Sequence, residues 1–148
     1  MITLSQRDSR WSQIKLGDSP LTVGRYGCTT TCVSMLTDYF KCFVDPGAMA
    51  KERLRFTSGG LLIWSSVNFP RMKFEKRLYS RNDAEIVKSL LRDPNRAVIF
   101  EVDYSHWVVA TGKLPWTDIY TIADPWRGDR SLSTRYKRIT GSAHFIKQ

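Results

Sequence analysis

The second half of the chain is a succession of short apolar runs, and the sustained helical period comes before them, between Cys28 and Phe40. In that earlier segment Cys28, Cys32, Met35, Leu36 and Tyr39 fall on one face of a helix. Further on, Ala97–Asp103, Trp107–Gly112 and Ile119–Ala123 are apolar stretches of strand length, the third closed by Asp124-Pro125. Tyr136–Ile139 and Ala143–Ile146 add two expected edge strands. Helices first and strands after is the order of an α+β fold, with N-terminal helices packed on a C-terminal antiparallel sheet. The 148 residues, 42% of them hydrophobic, suit a single domain spanning 1–148, and no repeat or low-complexity linker divides them.

Local signals fill in the rest. The segment through Gly27 is rich in turn formers and reads as loop, pinned to the body by Trp11, Ile14 and Leu16. Asp45 as N-cap and Pro46 as first helical residue predict a second helix running to about Arg53. Gly59-Gly60 breaks the chain, and Leu61, Leu62, Trp64 and Val67 fit a short apolar-faced helix or turn. Met72, Phe74, Lys76 and Leu78 alternate with more polar neighbours, a half-buried strand. Asn82 and Glu85 make a capping-box pair for a helix ending at Arg92-Asp93-Pro94.

The net charge of +9 favours anionic partners such as nucleic acid, an acidic membrane surface or bacterial cell wall. Basic residues recur between Arg71 and Arg81 and between Arg127 and Arg138, and a solvated basic face explains them about equally well. The N-terminus lacks the apolar run of a signal peptide, and no stretch approaches the ~20 apolar residues of a membrane span. A chain made in the cytoplasm is the expectation. Three cysteines without a leader argue against a disulfide framework, and their spacing with two histidines is not that of a zinc site.

Three residues carry candidate chemistry. Cys28 stands at the expected N-terminus of a helix, where unpaired N–H groups and the dipole favour a thiolate. Most free cysteines are small buried hydrophobes, and Cys32 and Cys42 read that way. His106 is placed in a loop just ahead of the Trp107-Val108-Val109 strand, suited to a general base. Asp124, at the end of the next strand, can hold one ring nitrogen of His106 and turn the other toward the sulfur; before Pro125 it can equally be a turn initiator. An oxyanion hole would take the Cys28 N–H and a side-chain amide, Gln6 or Gln13. His144 is a weaker base, with no acid-ended strand beside it. Trp64, Trp107, Trp116 and Trp126 are candidates to line a cleft, though aromatic residues more often serve the core.

Ser5-Gln6-Arg7-Asp8-Ser9-Arg10-Trp11, Leu16-Gly17, and Gly24-Arg25-Tyr26-Gly27-Cys28 together resemble the opening of the bacteriocin-leader-peptidase-like branch of papain-fold cysteine peptidases. His106-Trp107-Val108-Val109 and Ile122-Ala123-Asp124-Pro125-Trp126 look like that family's histidine and aspartate strands, and Ile139-Thr140-Gly141 with Phe145 like its closing segment. The resemblance spans nearly the whole chain and is weakest from Lys41 to Arg96. It implies a papain-like fold with Cys28 as nucleophile, His106 as base and then acid, Asp124 as its orienting group and Gln6 in the oxyanion hole.

The expected activity is cofactor-free hydrolysis of a peptide or amide bond through an acyl-enzyme. Three roles compete: a peptidoglycan-degrading enzyme like those of bacteriophages, acting on cell wall after release; a peptidase processing protein or peptide precursors; and a catalytically silent peptide- or nucleic-acid-binding module. The first leads. No helix-turn-helix, zinc-finger or RNP motif supports specific nucleic-acid binding, and a monomer is expected.

Overall fold

A computed structural model describes all 148 residues. The helical part comprises α1 (Val23–Tyr26), α2 (Cys28–Tyr39), α3 (Pro46–Ala50) and α4 (Asp83–Val87), the last continuing as a π-helical turn over Lys88–Arg92. The strands are β1 (Asn68–Phe69), β2 (Met72–Leu78), β3 (Arg96–Val102), β4 (His106–Lys113), β5 (Tyr120–Asp124), β6 (Asp129–Leu132) and β7 (Ile139–Lys147). They form one antiparallel sheet in the order β1-β2-β7-β3-β4-β5-β6, so the class is α+β. No helix is long and apolar enough to cross a membrane.

The apolar runs of the central strands follow from the sheet being covered on both faces. Ile99 of β3, Val109 of β4, Ala123 of β5 and Phe145 of β7 pack with Cys32, Val33, Met35 and Leu36 of α2. The alternate residues Val98, Phe100, Val102, Val108 and Ile122 pack with Ile86 of α4 on the other side. Each of these side chains is essentially sealed from solvent. Full burial of one such aliphatic or aromatic side chain contributes roughly 1.5–3 kcal/mol, so the sheet and α2 hold each other in place.

Two expected edge strands are instead one central strand. Ile139 to Lys147 runs unbroken between β2 and β3, and Tyr136 lies outside it. The polar stretch Thr140-Gly141-Ser142 imitates a turn, yet its groups are satisfied inside the sheet. Thr140 Oγ1 donates to Glu101 Oε1 at 2.8 Å, and Ser142 Oγ pairs with His144 Nε2 at 2.8 Å. Gly141 is required because a Cβ there would lie 2.8 Å from the Leu78 carbonyl oxygen.

Other boundaries move. Asp45 Oδ1 caps α3 by accepting from Ala48 N at 2.8 Å, but the helix stops at Ala50 and a separate 3-10 turn covers Arg53–Arg55. Asn82 Oδ1 accepts from Glu85 N at 3.1 Å. The reciprocal half of that box is missing, because the Glu85 carboxylate is taken by Lys76. His106 is the first residue of β4 rather than a loop residue. The cause is a tight hairpin turn in which Asp103 (φ 51°) and Tyr104 (φ 58°) both take left-handed backbone and Ser105 N donates to Val102 O at 3.1 Å.

The basic segments are less free than their sequence suggests. Lys76, Arg77 and Arg81 pair with Glu85, Glu101 and Asp83, and Arg135 with Asp124 and Asp129.

Candidate active site

Cys28 is the first residue of α2 and follows Gly27 directly. Gly27 sits where α1 meets α2, and a Cβ there would come 2.6 Å from the Val23 carbonyl oxygen. The glycine therefore permits the sharp junction that sets Cys28 at the mouth of a longer helix. α2 has no side-chain cap, so its first N–H groups and dipole are directed at the residues around Cys28.

The sheet brings up the other two groups. Val109 of β4 is paired with Ala123 of β5, so Asp124, the next residue, comes beside the start of β4. His106 Nε2 lies 2.9 Å from Asp124 Oδ1. The same ring shares a cleft with Cys28, Thr29 and Trp107, close enough to the thiol to shift its ionisation.

Trp107 is itself fixed. Its ring packs edge-on to Trp64 at 5.2 Å, Trp64 stacks on Phe74 at 5.6 Å, and the Arg77 guanidinium sits 4.8 Å from the Trp107 ring. Rigid aromatic packing thus holds the residue next to His106.

Electrostatics favour an ion pair. Burial opposes ionisation of Cys28, but its hydrogen bond to His106 and that ring's charge outweigh it, and the thiol pKa falls below its ordinary value. Burial likewise opposes a charged His106, yet the hydrogen bonds to Asp124 and Cys28 raise it to about 9. Both shifts favour a thiolate beside an imidazolium. Cys32, one turn further along α2, is driven the other way by burial and by the charges of Cys28 and Asp124, and stays a thiol.

Asp124 is almost completely buried and saturated with donors. Oδ1 accepts from His106 and from Trp126 N at 3.0 Å; Oδ2 accepts from Arg135 Nη1 at 3.0 Å and from the Tyr136 hydroxyl. Burial raises its pKa, but these bonds outweigh burial and hold its carboxyl well below the usual carboxylate range. Arg135 and Tyr136 are the site residues that sequence reasoning missed. Both come from the segment after β6, and the clue in the sequence was a buried acid needing cationic and hydroxyl partners.

A cleft of about 330 Å³ opens over Cys28 and His106. Gln6 lines it, held by its backbone N–H to Pro125 O at 2.8 Å and by Nε2 to Gly24 O at 3.2 Å. The second Nε2 proton has no acceptor among these contacts, and Oε1 is buried without a partner. Gln13 is exposed and does not reach the cleft, so of the two amides only Gln6 stands near Cys28. Trp107 and Trp126 also line it. Trp64 belongs to the aromatic cluster behind, and Trp116 projects fully into solvent from the β4–β5 hairpin.

His144 is remote from this group. It is sealed in the sheet between Ser89 Oγ at Nδ1 and Ser142 Oγ at Nε2, each 2.8 Å away. Burial, aided by the charge of Lys76, lowers its pKa to about 4. It is a neutral structural histidine.

Chemically the arrangement places a thiol at a helix start in one cleft with an imidazole that is bonded to a buried carboxylate. Searches against protein-family models, curated proteins and solved structures find no match to this chain.

Proposed function

We propose that residues 1–148 form one papain-like cysteine hydrolase domain that cleaves a peptide or amide bond, with peptidoglycan as its substrate. The observation that carries this reading is Cys28 at the head of α2 sharing a cleft with His106, whose Nε2 is held by Asp124 at 2.9 Å.

In this mechanism the Cys28 thiolate attacks the scissile carbonyl carbon. The developing oxyanion is met by the Cys28 backbone N–H and the free Gln6 Nε2 proton. His106 gives its proton to the leaving amine, and the C–N bond breaks to leave an acyl-enzyme. The neutral His106 then takes a proton from water, whose oxygen attacks the thioester and releases the acid. Asp124 stays ionised throughout and stabilises the imidazolium.

Peptidoglycan fits a basic protein and a cleft whose lining carries positive but no acidic side chains. Such an enzyme is of the kind bacteriophages use to lyse their hosts. The test is digestion of purified peptidoglycan by wild type beside Cys28→Ala, with fragments weighed by mass spectrometry. New amine termini from wild type alone are expected. Equal release by both proteins contradicts a Cys28 nucleophile. No release by either removes peptidoglycan as the substrate and leaves protein precursors if Cys28 is still rapidly alkylated, or a silent binding module if it is not.

A further inference from the structure

We infer that the cleft selects a substrate carrying a carboxylate near the scissile bond, and that Arg25 is the residue that recognises it. This rests on the cysteine-hydrolase reading and specifies its substrate class. Arg25 is exposed at the end of α1, three residues before Cys28, and lines the same cleft. It takes part in no ion pair, while Arg10, Arg55, Arg77, Arg81, Arg96 and Arg135 are each joined to an acid. Its one defined neighbour is the Tyr26 ring, 5.8 Å from the guanidinium carbon.

The rest of the lining sharpens the sign. No aspartate or glutamate faces this cleft, and the only other titratable cation in it is His106. Trp126, also in the lining, carries Arg7 stacked on its ring at 4.4 Å, and Arg7 Nε donates to the Trp126 carbonyl oxygen at 2.8 Å. Arg7 likewise has no acidic partner. With the Cys28 thiolate balanced by the His106 imidazolium, Arg25 leaves the cleft net positive, and such a site concentrates anionic ligands. A guanidinium left free of protein acids presents its planar fork for a carboxylate. The uncharged contacts, Leu21, Leu61 and the Tyr26 ring, suit the adjoining aliphatic part of a peptide. An acidic peptide segment satisfies both, and a lysine-rich one meets repulsion.

The test separates this inference from the reading beneath it. Alkylation of Cys28 by iodoacetate and by iodoacetamide is followed by mass spectrometry in wild type, Arg25→Gln and Arg25→Glu. The two reagents are close in size and differ in charge. Arg25 is exposed and unpaired, so the fold of the variants is expected to match wild type by circular dichroism.

The iodoacetate-to-iodoacetamide rate ratio, which cancels any change in the thiolate population, should fall by about fivefold in Arg25→Glu and less in Arg25→Gln. Salt at about 1 M should erase most of the difference. A ratio indifferent to both substitutions overturns the role of Arg25 while leaving the nucleophile intact. A Cys28 that resists both reagents in wild type defeats the hydrolase reading and this inference together.

Discussion

Asp124 gives one oxygen to His106, at 2.9 Å from Nε2, and reserves the other for Arg135 and Tyr136. The carboxylate therefore does two jobs: it orients the base, and it ties the segment after β6 to the end of β5. Loss of either job should be separable by mutation.

Asp124→Asn keeps the shape but removes the charge. Arg135 keeps both its bonds to Asp129, so the stability lost is that of weakened charged hydrogen bonds at Asp124, about 1.5–3 kcal/mol. Urea denaturation should show that loss, and hydrolysis should fall because the His106 ring is no longer held as an imidazolium. Hydrolysis should fall further in His106→Ala, where the proton carrier itself is gone.

Tyr136→Phe removes one donor and leaves three. A hydrogen bond to a charged group contributes about 1.5–3 kcal/mol, so the variant should be less stable than wild type by that order. Its turnover should remain above that of Asp124→Asn, as measured on the same substrate.

The pH profile follows from two shifts. The thiolate–imidazolium pair exists above the depressed thiol pKa and below the His106 value of about 9. Hydrolysis should decline as pH rises through about 9, because the imidazolium that protonates the leaving amine is lost. Alkylation of Cys28 should not decline there, since the thiolate persists. Parallel loss of both rates would contradict the assignment of His106 as the acid.

His144 should set part of the acid limit of stability. Its folded pKa is about 4, against about 6.5 when unfolded. Below pH 6.5 the unfolded chain takes a proton that the folded protein refuses, so stability drops until pH reaches about 4, by roughly 3 kcal/mol in all. His144→Gln should lessen that slope in denaturation curves at pH 4–6.5 and leave Cys28 alkylation at pH 7 unchanged.

The class of fold and the extents of α2, β2, β3, β4 and β5 were legible in the sequence because period and burial coincide there: Ile99 and Val98 face different covered sides, and both must be apolar. Cys28, His106 and Asp124 could be chosen from residue type and order, while Gln6 stood beside Gln13 until the resemblance favoured it; His106 bonds Asp124, and Cys28, His106 and Gln6 line one cleft. What escaped depended on partners distant in sequence. β7 was hidden by Thr140 and Ser142, whose hydroxyls are satisfied by Glu101 and His144. The grip of Arg135 and Tyr136 on Asp124 was hidden because those residues read as basic surface and strand.

The most direct measurement is the rate of Cys28 alkylation by iodoacetamide at pH 6, located by mass spectrometry, in wild type and His106→Ala. Rapid modification confined to Cys28, slowed strongly in the variant, is the predicted result. Modification of Cys28 no faster than that of Cys42, or a rate unmoved by loss of His106, would contradict an activated nucleophile at the head of α2.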